Sequence, residues 1–136
     1  MSWDNFVLED RAELQFTVSS AEMDTFRILS GDTNPLHADD AYARALGFDS
    51  KVVFGALIVA KISALVGVDI PGRGGVWTGL RIDFRKPLYP DETVTLTGTI
   101  ASKSDAARML TLRLRADTLD RCIVTGSAEA VFRGDD

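Results

Sequence analysis

The stretch Phe54-Gly55-Ala56-Leu57-Ile58-Val59-Ala60-Lys61-Ile62-Ser63-Ala64-Leu65-Val66 decides how this chain folds. Nearly every position is apolar or small. Ile58, Val59, Ile62 and Val66 would suit a strand, but the length and the alanines favour a helix. A helix apolar on every side is a buried helix, so it needs a wrapper. Lys61 is the one charge in it; a stem laid along the helix edge with the ammonium in water accounts for it better than contact with an anionic substrate group.

The wrapper lies downstream. Leu80, Ile82 and Phe84 alternate with Arg81, Asp83 and Arg85. Val94, Leu96 and Ile100 alternate with threonines, and Leu110, Leu112 and Leu114 with Thr111, Arg113 and Arg115. Val124, Ala128, Ala130 and Phe132 alternate with Thr125, Ser127, Glu129 and Arg133. One dry and one wet face per strand means an antiparallel sheet covered on one side. Pro71-Gly72-Arg73-Gly74-Gly75 reads as a flexible loop, and Pro90-Asp91 and Leu119-Asp120-Arg121 as turns. A curved antiparallel sheet wrapped around a long central helix meets both needs. This is the α+β hot-dog fold, which the pattern alone leaves as one option among several.

Upstream, Leu14, Phe16 and Val18 mark a strand over residues 13–18. Ser19 and Glu22 form a capping box for a helix that turns Met23, Phe26 and Ile28 or Leu29 toward the core and stops at Ser30-Gly31. A second, short helix from Asp39 or Asp40 to Leu46 points Tyr42, Ala43 and Leu46 inward, with Gly47 ending it.

The chain has 136 residues, 46% hydrophobic and 26% charged, which predicts one soluble globular domain over residues 1–136. A net charge of −5 gives no general field for nucleic acid or anionic lipid. One cysteine, Cys122, allows no intrachain disulfide, and with a single histidine the usual zinc ligand sets are out of reach. Residues 1–5 have no basic start and no apolar core of a secretory signal, and residues 52–68, interrupted by Lys61, are short for a membrane span. A reducing cytoplasm is the expected compartment.

Between the two upstream helices stands Ser30-Gly31-Asp32-Thr33-Asn34-Pro35-Leu36-His37. His37 follows Asp32 by five residues, an offset that a helix would send to different faces. Pro35 disfavours a helical Asn34 and cannot continue a helix itself, and a loop bent there can bring the two side chains together. A carboxylate and an imidazole meeting on one water form an acid–base pair that works near neutral pH. The same residues are also ordinary turn formers, with Asp32 capping backbone and His37 capping the next helix.

The stretch resembles the MaoC-like dehydratases, which include the R-specific enoyl-CoA hydratases (hydratase 2). The likeness rests on Ser30-Gly31-Asp32, Asn34-Pro35-Leu36-His37-Ala38-Asp39, Tyr42-Ala43, Phe48 and Phe54-Gly55-Ala56-Leu57. It continues through Leu65-Val66-Gly67, Pro71-Gly72, Gly79, Phe84-Arg85-Lys86-Pro87-Leu88-Tyr89 and Asp91-Glu92-Val94, and covers roughly Phe16 to Ile100. It implies reversible addition of water to a trans-2-enoyl thioester, giving a (3R)-hydroxyacyl thioester. Asp32 and His37 match the catalytic dyad that holds and activates the water. Gly55 matches the glycine whose N–H faces the thioester carbonyl, a role that suits a donor at an electropositive helix N-terminus. Phe54, Ser63 and Asn34 match substrate-binding positions, although a hydroxyl bonded back to its own helix is the simpler account of Ser63.

One departure matters. The family usually carries histidine just before the glycine, where this chain has Phe54. That change bears on substrate identity more than on reaction type. Arg73, Arg85 and Lys86, with Arg81, form the main basic set. They suit either solvation or the phosphates of coenzyme A or of a carrier-protein arm. The resemblance implies no cofactor beyond that thioester substrate, and a homodimer or higher homo-oligomer in which two sheets join through an edge in the β-rich C-terminal half, since an open edge is an aggregation hazard. A hot-dog thioesterase and a non-catalytic acyl-thioester-binding protein are the alternatives.

Overall fold

The computed structural model describes residues 2–134. Strands β1 (Arg11–Phe16), β2 (Gly75–Phe84), β3 (Val94–Ser104), β4 (Met109–Asp117) and β5 (Cys122–Phe132) form one antiparallel sheet in the order β1-β3-β4-β5-β2. The predicted dry positions of β3, β4 and β5 are all buried, from Val94 to Phe132. Strand β2 begins at Gly75, which therefore leaves the predicted glycine loop. The burial of β2 alternates only as far as Leu80, past the register shift between Trp77 and Gly79, and of the predicted dry positions only Ile82 is half-buried, while Leu80 and Phe84 are exposed on this edge strand.

Because β1 and β2 lie on opposite edges, the chain between them must cross the whole sheet. It does so through helices α1 (Ser20–Ser30), α2 (Asp40–Ala45) and α3 (Gly55–Ala64), which runs on into a π-helical turn at Leu65–Asp69. Helix α3 drives Leu57, Ile58 and Ile62 into the core shared with Leu96, Leu112 and Leu114. Leu65 comes so near the sheet that a Cβ on Gly98 would stand 3.0 Å from its Cδ2, which explains a glycine mid-strand. A central helix on an antiparallel sheet is the α+β hot-dog arrangement, one of the options that the helix–strand pattern leaves and the one that the family resemblance implies.

Three expectations about burial are corrected. Helix α3 is not dry all round: Ala56, Ala60, Ser63 and Ala64 are exposed in the single chain. In α1, Met23 is buried and Phe26 packs on the core, but Ile28 and Leu29 are 83% and 80% exposed, Leu29 in a surface cavity that it lines with Phe26 and with Leu57 of α3. In α2 only Ala43 is buried, while Tyr42 and Leu46 are exposed. The helix is too short, at six residues, to cover more than one core position.

The start of α1 is the capping box expected of Ser19 and Glu22. Ser19 Oγ accepts from Glu22 N–H at 3.1 Å, and Glu22 Oε1 accepts from Ser19 N–H at 3.1 Å. The bond from the Ser19 backbone holds the Glu22 carboxyl below its ordinary range; the Ser19 hydroxyl and Lys61 act in the same direction. A depressed carboxylate contributes stability above its unfolded pKa and loses it as pH falls through the folded one. Ser19→Ala should therefore cost about 1 kcal/mol in urea unfolding at pH 7. The difference from wild type should shrink at pH values below the carboxylate range.

Candidate active site

Helix α1 ends at Gly31, whose φ of 73° closes the helix in the left-handed region. From there every second side chain supports the backbone two residues on. Ser30 Oγ accepts from Asp32 N–H (3.1 Å), Asp32 Oδ1 from Asn34 N–H (3.1 Å), and Asn34 Oδ1 from Leu36 N–H (3.0 Å). The last bond caps the 3-10 turn Pro35–His37, and Asp39 then caps α2 through Ala41 and Tyr42. Turn chemistry and site chemistry are thus shared by one residue: Asp32 spends Oδ1 on the loop and leaves Oδ2 free to face His37.

The facing pair is open. His37 Nε2 stands 3.9 Å from Asp32 Oδ2, too far for a hydrogen bond. One oxygen about 2.8 Å from each would fit between them. The histidine side chain is 14% exposed and the aspartate 46%, so the pair lies between interior and solvent. His37 Nδ1 is 2.7 Å from the Val52 carbonyl oxygen. A carbonyl only accepts, so Nδ1 carries the proton and neutral His37 presents a bare Nε2 toward Asp32. Val52 grips the loop twice, since its own N–H donates to Leu36 O at 3.0 Å. The Phe54 ring stacks on the imidazole, centroids 4.1 Å apart.

His37 and Gly55 line the same cavity of about 450 Å³. Its walls are mostly apolar, from Phe48, Val52, Val53, Ile58, Phe84, Pro87 and Leu88, and Arg85 and Lys86 also line it. Gly55 opens α3. Its N–H belongs to the unpaired first turn and makes no hydrogen bond among the described residues. The glycine lets the cavity wall come close: a Cβ there would meet Phe84 Cζ, the far end of an exposed side chain, at 2.7 Å. An acid–base pair, a free helix N-terminal donor and a mostly apolar chamber with cations in its lining can together polarise a carbonyl, deliver water beside it and anchor an anionic tail.

Other residues named from sequence fall elsewhere. Asn34 uses its side-chain oxygen on the loop and does not line the cavity. Ser63 lies on the exposed face of α3, neither in the cavity nor buried against its own helix. Arg73 precedes β2 and Arg85 follows it, which sets them roughly 30 Å apart at 3.3 Å per strand residue. Arg73 lines a separate cavity with Asp69 and Arg133, so the basic set divides within one chain. Arg85 remains near the site, its Nε donating to Thr125 Oγ1 at 2.9 Å. Lys61 sits at the helix edge with its ammonium 5.6 Å from the Phe16 ring centroid, outside the cavity. Sequence reasoning missed the Val52 carbonyl, which no side-chain pattern signals. It also missed Phe84 as a cavity wall, where the inward strand position beside Arg85 and Lys86 was the available signal.

The sequence model of the family described as "MaoC like domain" matches residues 8–118. An (R)-specific enoyl-CoA hydratase of Aeromonas caviae is 31% identical over 129 residues, covering 94% of this chain and 96% of the relative. A second protein of that name, from Rhodospirillum rubrum, is 30% identical over 117 residues, or 86% of this chain and 81% of the relative. Among solved structures, the (R)-hydratase from A. caviae involved in PHA biosynthesis superposes with a TM-score of 0.89 at 29% identity, over 94% of this chain and 98% of that one.

Proposed function

Because this chain belongs to the MaoC-like dehydratase family, we propose that it adds water reversibly to a trans-2-enoyl thioester, giving a (3R)-hydroxyacyl thioester. It is a hydro-lyase of the enoyl-CoA hydratase and 3-hydroxyacyl dehydratase type. The observation that carries the reading is the 3.9 Å opening between Asp32 and His37, whose histidine lines the same cavity as Gly55 while Asp32 stands outside that lining. Water held by Oδ2 and Nε2 bonds to the β-carbon of the enoyl group and yields a proton to the dyad, and a proton passes to the α-carbon. Charge that develops on the thioester oxygen meets the Gly55 N–H and the positive end of α3. Arg85 and Lys86 meet the phosphates of coenzyme A or of a carrier arm. The thioester is the substrate, and the reaction calls for no further cofactor.

The test is loss of the enoyl-thioester absorbance when the protein meets trans-2-enoyl-CoA of short and medium chain length. Hydration without thiol release is the expected result. Thiol release would mark a thioesterase, and no turnover at any chain length would mark a binding protein.

Assembly follows from the sheet edges. Strand β1 is six residues long and turns Arg11, Glu13 and Gln15 to water. Strand β2 is ten residues long and leaves Val76, Leu80 and Phe84 exposed beside an unpaired backbone edge. A second copy joined along β2 would cover that apolar edge and close the Phe84 side of the cavity. The protein is a homodimer in this reading and works in the reducing cytoplasm that its single cysteine suits. Light scattering at micromolar concentration should give twice the chain mass, and Leu80→Glu should shift it to the monomer. A wild-type monomer would refute the pairing.

A further inference from the structure

We propose that Phe54 is a positioning residue that holds the His37 imidazole in the plane that aims Nε2 at Asp32, while its own backbone starts the helix that presents Gly55. The inference rests on the hydratase reading of the same site and assigns a role to the residue at which this chain departs from its family.

The bond from Nδ1 to the Val52 carbonyl sets the ring plane only weakly, and a ring that swings out of that plane bends or breaks the bond that selects the tautomer. Torsions that swing a planar ring are broad, and a pivot of about 30° around Nδ1 carries Nε2 by about 1 Å. The stack supplies the missing restraint. The Phe54 ring lies 26° from parallel with the imidazole at 4.1 Å between centroids. Phe54 is 1% exposed and is backed in turn by Phe26, centroids 4.9 Å apart. A hydrocarbon face offers the imidazole no hydrogen bond that would compete with Val52 on one side or with water on the other. The Phe54 carbonyl meanwhile accepts from Leu57 N–H at 3.1 Å and Ile58 N–H at 3.4 Å, the first bonds of α3. One residue therefore sets the acid–base group through its side chain and the adjacent Gly55 donor through its backbone. The separation of the two is fixed across a single residue rather than across a loop.

His37 is the only histidine in the chain, so nitrogen NMR of the folded protein reads one imidazole without assignment. Wild type should show a single tautomer, protonated at Nδ1. Phe54→Leu should mix the tautomers and lower kcat about 10- to 100-fold, the scale of a misplacement near 1 Å, with KM changed less than about threefold. Phe54→Tyr keeps the aromatic face and should stay near wild type in both readouts. Should Phe54→Leu fail to fold by circular dichroism, Phe26→Leu, which removes only the backing ring, should move tautomer and kcat the same way to a smaller degree. Wild-type kcat in the leucine variants, or a lost kcat with the single tautomer intact, would overturn the proposal. A wild-type protein inactive on every enoyl thioester would refute the reaction instead, and the spectra would still decide whether Phe54 orients His37.

Discussion

Asp32→Asn and His37→Gln should each lower the rate of enoyl-thioester hydration by about 100- to 10,000-fold, the usual contribution of a positioned acid or base. Neither substitution should disturb the loop. Asparagine keeps an oxygen where Asp32 Oδ1 accepts from Asn34 N–H, and the glutamine amide can donate toward the Val52 carbonyl in place of Nδ1. Each removes only proton exchange with the water between them. The double variant should be little slower than the worse single one, because two groups that act on one water fail as a unit. Strict additivity would mean that they serve separate steps. The measurement is initial rate on a short trans-2-enoyl-CoA, with circular dichroism to confirm folding. Folded single variants that keep wild-type turnover would sink the dyad mechanism and leave the fold untouched.

What the sequence reveals and what it hides divide along physical lines. Period-two alternation exposes β3, β4 and β5, because over most of their length one face meets the core and the other does not. The same signal fades in β2, where the alternation stops at Leu80 and the edge position leaves Leu80 and Phe84 exposed. Alanine and serine at 56, 60, 63 and 64 read as buried because small residues pack anywhere; their exposure depends on what covers α3, which composition does not encode. The site shows the same division. Asp32 and His37 are legible as types at a spacing, and Gly55 as a helix opener. That Asn34 faces the backbone and not the cavity depends on one hydrogen bond to Leu36 N–H. Arg73 and Arg85 look like one cluster along the chain until the length of β2 separates them.

Gly55→Pro should lower kcat about 100-fold or more, the cost of losing one donor to a developing oxyanion. The position is suited to the experiment. Gly55 is the first residue of α3, where proline is tolerated because that N–H has no helical partner. Phe54, with φ −54° and ψ 129°, already has the extended backbone that a following proline requires. The complication is the new Cβ, 2.7 Å from Phe84 Cζ and 3.1 Å from Cε1. Those atoms are the far end of a side chain 54% exposed on an edge strand, so the ring can swing aside. Gly55→Ala brings the same Cβ and keeps the N–H, which separates the two effects. The alanine variant should lose less than about tenfold, through the displaced cavity wall. The proline variant should lose the further factor in kcat rather than KM, because the donor is used when charge reaches the oxygen and little before. Equal rates in the two variants would move the donor away from Gly55, and the next unpaired amide of the first turn, that of Ala56, would be the group to test.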